Sequence, residues 1–412
     1  MSGAAEGRLL TPLSEDSFLR NLQERFHRDI IYTWVHSACG PLVALNPGRA
    51  LPLYSAAAAR RHAAGCSAEP HVYGVLAAAG RARARGRPQL LLATGVSGAG
   101  KTEAARQWLQ AAVLASGGGA GAERLVRAAT VLEAFGNAAT GLNHNASRFG
   151  KLLDLEHDER GRLAGGHVTH YLLERSRCGR VPEGERNFHV FYQLLAGADG
   201  RTLRRLRLQR GRPYRLLPGA AAEDEAHFAF TSAAMLALGL DENVSLDVWR
   251  VLAFLVKLGE LEFMPAQLVD GSLGVRVRNP GEAEEACAAV GADPAAVLAA
   301  LGVGSAEWAG GADWAAGARD RMLGGLYERL FSWLVGRVNA AGAGGGAGAA
   351  LGLLDMYGLE AGADNGLERL LVNCAAESVQ AAAERAVLRA RRERARADGL
   401  DCPPPAAAPP PA

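Results

Sequence analysis

The sequence predicts an α/β fold built around a phosphate-binding loop, and three consecutive segments predict it. Gln89 to Thr94 (Q-L-L-L-A-T) is a short apolar run that reads as a buried strand. Residues 95–102 read Gly-Val-Ser-Gly-Ala-Gly-Lys-Thr, which fits the pattern G-x-x-x-x-G-K-[ST]. From Lys101 a helix follows, with Ala104, Ala105, Trp108, Leu109, Ala112 and Val113 on one face. Gly95, Gly98 and Gly100, with Ser97 and Ala99 between them, permit the turns that aim successive N–H groups at phosphate oxygens. The helix N-terminus adds its partial positive charge.

In such a loop Lys101 reaches the outer phosphates and the Thr102 hydroxyl binds Mg²⁺. Composition supports this use of Lys101. Only three lysines occur among the 45 basic residues: Lys101, Lys151 and Lys257. A compact ammonium here, in a chain that otherwise uses arginine, points to a chemical requirement. The competing reading is a glycine-rich linker before a helix.

At 412 residues the chain can bury a large core, as two to three domains or one large one. A hydrophobic fraction of 49% with 21% charged residues places it among globular proteins. The net charge of +2 is too small to imply nucleic acid or an anionic membrane by itself. Cys39, Cys66, Cys178, Cys287, Cys374 and Cys402 form no C-x-x-C pair, which suggests free thiols in a reducing compartment. Met1 to Leu10 lacks the features of a secretory signal, and no apolar run approaches a membrane span. A cytoplasmic protein with no transmembrane segment is expected.

Elements follow in order. Ser116 to Ala122 reads as a flexible surface loop after the phosphate-site helix. Lys151–His157 and His167–Leu173 flank Glu159 to Arg162 and read as a hairpin. Asp241 caps a helix that carries Val248, Val251, Leu252, Leu255 and Leu258 and ends at Gly259. Met322 to Val338 is amphipathic; Ala340 to Ala349 reads as a linker; Leu351 to Leu354 reads as a second short buried strand. Leu367 to Ala397, rich in Ala, Arg and Glu, predicts one long helix. Pro403 to Ala412 is low in complexity and reads as disordered.

Two further segments carry chemistry. Asn143 to Lys151 (N-H-N-A-S-R-F-G-K) offers amides, a hydroxyl and a guanidinium. Leu353 to Glu360 (L-L-D-M-Y-G-L-E) places a carboxylate at a strand end, then a glycine whose bare N–H can approach an oxyanion. Alone, the first could be an ordinary polar turn and the second a helix cap.

Together and in this order the three segments resemble the motor domain of myosin. The phosphate loop, running on through Glu103, matches that family's G-E-S-G-A-G-K-T-E. Asn143–Lys151 resembles its first switch and Asp355–Glu360 its second. Further strings agree: Phe26–Tyr54, Leu132–Asn137 (L-E-A-F-G-N), Tyr171–Arg177 (Y-L-L-E-R-S-R), Gly184–Leu195, Tyr327–Asn339 and Asn365–Gln380. The phrase R-L-F-S-W-L-V is most similar to class I myosins. The likeness covers roughly residues 9 to 397.

It implies a P-loop NTPase core with a twisted mixed β-sheet, flanking helices and large helical insertions, here an incomplete myosin head-like fold. It divides the chain into a flexible tail (1–8), a motor-like domain (9–400) and a disordered Pro/Ala tail (401–412). It implies ATP and Mg²⁺ as cofactors. Lys101 would bind phosphate, Thr102 and Ser147 would coordinate the metal, and Asp355 would sit just behind it. The Gly358 N–H would contact the γ-phosphate. Arg148 and Glu360 would pair to close the two switches over the attacking water. Asn143 would help hold phosphate, and Asn46, Pro47 and Tyr54 would border the adenine. Without the resemblance, those last three read as a plain turn before a core tyrosine.

F-actin is the partner implied, and the actin cytoskeleton the location. Three departures matter. Val96 replaces a glutamate, so side-chain contacts are lost while the backbone cradle survives. Ala146 replaces a serine thought to relay a proton from the attacking water, which implies slow hydrolysis. Leu359 replaces an aromatic. The family's chain continues past the last helix; Gly302 to Ala318 looks shortened; and no motif for a calmodulin-type light chain is visible. Impaired movement on actin is therefore expected. The clusters Arg81–Arg87 and Arg389–Arg396 lack interleaved aromatics and read as solvated faces, so nucleic acid is not expected. The alternatives are a degenerate, non-motor head that acts as a nucleotide-binding or scaffold module, and an unrelated phosphate-loop enzyme.

Overall fold

The computed structural model describes residues 14–35, 40–65, 69–117, 119–219, 224–268, 271–304, 311–344, 350–361 and 365–400. Both terminal tails, Cys39, Cys66, Cys402 and parts of the 302–318 and 340–349 segments lie outside the described residues.

In chain order the N-terminal elements are α1 (Glu15–Phe26), the hairpin β1 (Tyr32–Trp34) and β2 (Leu42–Ala44), α2 (Ala56–Ala63) and α3 (Val72–Ala84). β3 (Gln89–Ala93) leads through the glycine loop into α4 (Lys101–Ala115), then α5 (Ala120–Gly136). A two-residue ladder of β4 (Asn137–Ala138) with β5 (Ala146–Ser147) follows, then the hairpin β6 (Gly150–His157) and β7 (Leu163–Tyr171). A helical stretch comes next: α6 (His189–Gly197), α7 (Gly200–Arg205), α8 (Asp224–Ala237) and α9 (Glu242–Gly259). The hairpin β8 (Phe263–Gln267) and β9 (Leu273–Val277) precedes α10 (Pro280–Val290), α11 (Pro294–Ala300) and α12 (Gly311–Gly342). β10 (Leu351–Asp355) and α13 (Leu367–Ala397) complete the described chain.

The central sheet is mixed, with strand order β3-β10-β6-β7. β10 runs parallel to β3, pairing Asp355 with Ala93, and antiparallel to β6, pairing Asp355 with Lys151. This register matters for function. It puts the end of β10 beside the start of the glycine loop, and a basic side chain beside the buried acid. Contrary to the sequence expectation, β3 is not buried on both faces. It is an edge strand, and Leu90 is 57% exposed.

Helices pack on the sheet through apolar faces. Trp108 on α4 is buried and donates its indole N–H to the Val72 carbonyl, 3.0 Å away. On α12, Tyr327 is fully buried, stacks on Phe188 at 4.6 Å and donates its hydroxyl to the Phe135 carbonyl at 2.6 Å. α9 begins where Asp241 accepts from the Asn243 and Val244 amides, the cap that the sequence indicates. Its one lysine, Lys257, is buried against Glu282 (3.1 Å) and Glu285 (2.5 Å). Among the described residues no helix is long and apolar enough to cross a membrane.

Three boundary expectations are corrected. Ser116–Ala122 is not a loop throughout: α5 starts at Ala120 and Ala122 is fully buried. Close packing is the cause, since a Cβ on Gly121 would collide with the Ala164 carbonyl of β7. The presumed linker from Ala340 is helical to Gly342, and Gly344 packs against Ala164 and Gly165. Gly342 and Gly344 serve contact rather than flexibility. β7 starts four residues earlier than the alternation indicates, at Leu163, because Asp158 accepts from the Arg160 and Arg162 amides and tightens the turn.

These contacts set opposite expectations for two glycines. Gly121→Ala is expected to lower stability by about 2 kcal/mol or more, because backbone must shift. Gly336→Ala, on α12 with open space around it, is expected to raise stability by about 0.5–1 kcal/mol. Urea unfolding of both variants measures this; equal effects would contradict the packing described.

Candidate functional site

The site forms where the three distant segments meet. The glycine loop takes the backbone its sequence requires, with φ of 137° at Gly95, 79° at Gly98 and 93° at Gly100. It opens directly into α4, whose first residues are Lys101, Thr102 and Glu103. A polar cleft of about 200 Å³ lies over it. Ser97, Gly98, Gly100, Lys101, Thr102 and Glu103 line it on one side, Asn143, Asn145 and Ser147 on another, and Met356 and Gly358 on a third.

Asn46 also lines the cleft and donates to the Gly98 carbonyl at 2.7 Å. The remaining sequence-named residues do not line it. Tyr54 turns away, its hydroxyl 2.6 Å from that of Tyr32, among the aromatic rings of His71 and Tyr73. Pro47, Gly95 and Ala99 are also not among the residues that line the cleft. Glu103 is held by Arg106 and by Gln107, which donates to it at 2.8 Å.

The loop and the second segment join through backbone. The Ser97 N–H donates to the Leu359 carbonyl at 3.0 Å, and the Leu359 N–H to the Gly95 carbonyl at 3.3 Å. Gly358 sits so close that a Cβ there would overlap the Ser97 backbone. Glycine is required at 358 by this approach. Lys101 is buried and donates to the Val96 carbonyl at 2.6 Å. Burial lowers its pKa, against the opposing pull of Asp355 and Glu360.

The hydroxyls of Thr102 and Ser147 lie 3.1 Å apart. That spacing suits two adjacent corners of an octahedron whose metal–oxygen bonds are about 2.1 Å, the geometry of Mg²⁺. Asp355 is 3% exposed, its Oδ1 has no hydrogen-bond partner, and Oδ2 lies 3.9 Å from the Lys151 ammonium. Burial raises its pKa, with Lys151 opposing. Two paired hydroxyls backed by a buried, half-satisfied carboxylate fit a divalent ion that takes its other ligands from phosphate and water. Among the described residues no group of three or more His, Cys, Asp or Glu could hold a metal unaided.

Arg148 and Glu360 form a buried pair, 2.5 Å through Nη1 and 3.4 Å through Nη2. The sequence did not indicate the second partner. Glu174 accepts from Arg148 Nε at 2.5 Å and also from Arg177, which in turn binds Glu185 at 2.7 Å. Burial pulls the Arg148 pKa down, but Glu174 and Glu360 outweigh it and the net shift is upward. Glu174 is shifted downward because Arg148 and Arg177 outweigh its burial. Its position in the string Y-L-L-E-R-S-R was the available signal.

The family description "Myosin head (motor domain)" matches residues 6–402. The chain belongs to the myosin head family. It is 36% identical to unconventional myosin-Ib of Homo sapiens over 402 residues, covering 92% of this chain and 35% of that protein. It is 36% identical to unconventional myosin-Ia of Bos taurus over 416 residues, covering 95% of this chain and 39% of that protein. Unconventional myosin-Ia of Gallus gallus gives 36% over 407 residues, with coverages of 92% and 38%. The chain thus spans little more than a third of the length of these curated relatives. Class I relatives bear out the likeness read from R-L-F-S-W-L-V.

This myosin head carries a buried histidine, His71, and a half-buried one, His189, whose pKa values fall to about 4. His71 is lowered by burial and then by His62; His189 by burial and then by Arg186 and His227. Unfolded, each titrates near ~6.5. Between those values the unfolded chain binds more protons, so stability rises with pH there. Asp355, raised by burial, acts in the opposite sense. Thermal unfolding is therefore expected at lower temperature at pH 5 than at pH 7.5, and His71→Gln should flatten that slope. An unchanged slope in the variant would contradict the assignment.

Proposed function

We propose that this chain binds Mg·ATP as a class I-like myosin head and hydrolyses it slowly. Association with actin filaments is the family's function and is proposed for it on that ground. The observation that carries the reading is the meeting of three segments in one cleft. Thr102 and Ser147 touch at 3.1 Å, and Arg148 and Glu360 at 2.5 Å, across sequence gaps of 45 and 212 residues.

The loop amides from Gly95 to Gly100 would cradle the phosphates, with Asn46 and Asn143 at the rim. Lys101 would exchange the Val96 carbonyl for phosphate oxygens, a charge-assisted bond in a site that burial has already dried. Thr102 and Ser147 would hold Mg²⁺, which neutralises phosphate charge when bound. Gly358 lines the cleft, and its N–H would meet an oxyanion that develops there. The buried Arg148–Glu360 pair, behind the cleft lining, would hold the second and third segments together over the phosphates.

Turnover is the weak step in this proposal. Ala146 is buried in β5, so no hydroxyl is available where the family has a serine to receive a proton. Val96 is 59% exposed and offers the nucleotide only backbone. These two positions favour, as a second reading, a head that holds nucleotide as a scaffold without useful hydrolysis.

Fluorescent-ATP titration tests binding. Tight Mg²⁺-dependent binding is expected, with Lys101→Ala weakening it by about tenfold or more, the loss of at least one charge-assisted bond. A variant that binds as well as the natural chain would sink the assignment. Single-turnover hydrolysis tests the slow step: Ala146→Ser is expected to raise the rate constant while leaving the dissociation constant within about threefold. An unaltered rate removes the proton-relay explanation. Cosedimentation with filaments, with and without ATP, tests the actin proposal.

A further inference from the structure

We propose that Asn145 is a positioning residue that pins the 143–148 loop in place, so that the Ser147 hydroxyl stays beside Thr102. Asn145 is solvent-exposed, yet its side chain is hydrogen-bonded to three separate elements. Its Nδ2 donates to Glu133 Oε1 on α5 at 2.7 Å. Its Oδ1 accepts from Asn137 Nδ2 on β4 at 3.0 Å. His189 Nε2 on α6 lies 3.1 Å from the same oxygen. Since Oδ1 can only accept, the His189 nitrogen facing it carries the proton. The Asn145 N–H itself donates to Asn143 Oδ1 at 3.0 Å, which shapes the turn.

The loop has other ties on either side of Asn145: Thr140 and Asn143 bond each other, and the Arg148 N–H donates to the Gly136 carbonyl at 2.8 Å. Its regular structure is the two-residue ladder Asn137–Ser147 and Ala138–Ala146. A ladder that short is marginal by itself. The loop tip at Leu142 and His144 is exposed. The amide of Asn145 sits two residues from Ser147 and ties the loop to the C-terminal turn of α5 and the first turn of α6. Ser147 is thereby placed before any ligand arrives, and Arg148, next in sequence, is aimed at Glu360.

This inference rests on the proposed Mg·ATP function and adds a division of labour to it. The glycine loop and Lys101 hold phosphate without help from Asn145. The Ser147 hydroxyl, and so the metal contribution, depends on it.

The test is titration of the full chain with N-methylanthraniloyl-ATP in Mg²⁺ and in EDTA. Asn145→Ala is expected to lose about tenfold in Mg²⁺ and less than about twofold in EDTA. Glu133→Ala should behave likewise. Glu133→Gln keeps the acceptor and should stay within about twofold of the natural chain in both conditions. Equal losses in Mg²⁺ and EDTA mean a general structural role and overturn the inference. So does a Glu133→Gln variant that matches Glu133→Ala, which would assign the effect to charge. If the natural chain binds no nucleotide, the functional proposal fails first; if it binds and Asn145→Ala is unaltered, only the tether fails.

Discussion

The structure depends above all on keeping Arg148 neutralised. A guanidinium 3% exposed cannot remain charged without close anions, since the desolvation penalty is several kcal/mol per ion. Two carboxylates answer it, Glu174 at Nε and Glu360 at Nη1. Glu174 is shared with Arg177, Arg177 with Glu185, and Glu185 with Arg369 at 3.4 Å. Three arginines and three glutamates alternate, so the buried network carries no net charge. Removing any interior member strands its neighbours, which costs about 3–5 kcal/mol in comparable cases.

The network is also a ring. Glu360 begins it and Arg369 ends it, and both are tied to α13. Asn373 on α13 accepts from the Glu360 N–H at 2.9 Å and donates to its carbonyl at 2.8 Å, while Arg369 is one turn earlier. α13 contributes one buried residue, Val372, along its whole length. Polar links, rather than a broad apolar face, therefore hold its first turns to the site. A displacement of Glu360 cannot occur without altering the Arg148 bonds on one side and the Asn373 bonds on the other.

The sequence revealed much of this because phosphate loops are local. A strand, six loop residues and a helix start are contiguous, so pattern alone locates Lys101 and Thr102. The rarity of lysine was informative in the same way: Lys151 faces Asp355 and Lys257 is buried between two glutamates. Long helices such as Leu367–Ala397 followed from propensity. What stayed hidden depends on tertiary contact. Glycines at 121 and 344 look like flexible punctuation, but each permits close backbone approach to β7. Leu90 looks buried, but its strand lies at a sheet edge, a fact set by strand order. Glu174, Glu133 and His189 lie in strings that the sequence singles out, but nothing local says which side chain each would meet. Only folding shows that they meet Arg148 and Asn145.

Two of the three departures from the family, Val96 and Ala146, affect different parts of the site. Val96 lies in a stretch whose working atoms are backbone. Its carbonyl receives Lys101 and its neighbour Ser97 pairs with Leu359, whatever side chain stands at 96. Ala146 lies where the proposed proton relay would need a side-chain oxygen, and its backbone pairs with Ala138 in the ladder. A cradle made of amides tolerates substitution; a proton path made of one hydroxyl does not. The same chain can thus retain the geometry for holding a nucleotide while lacking a group for acting on it. Sequence identity near one third is compatible with either outcome, because the difference rests on a single buried oxygen atom.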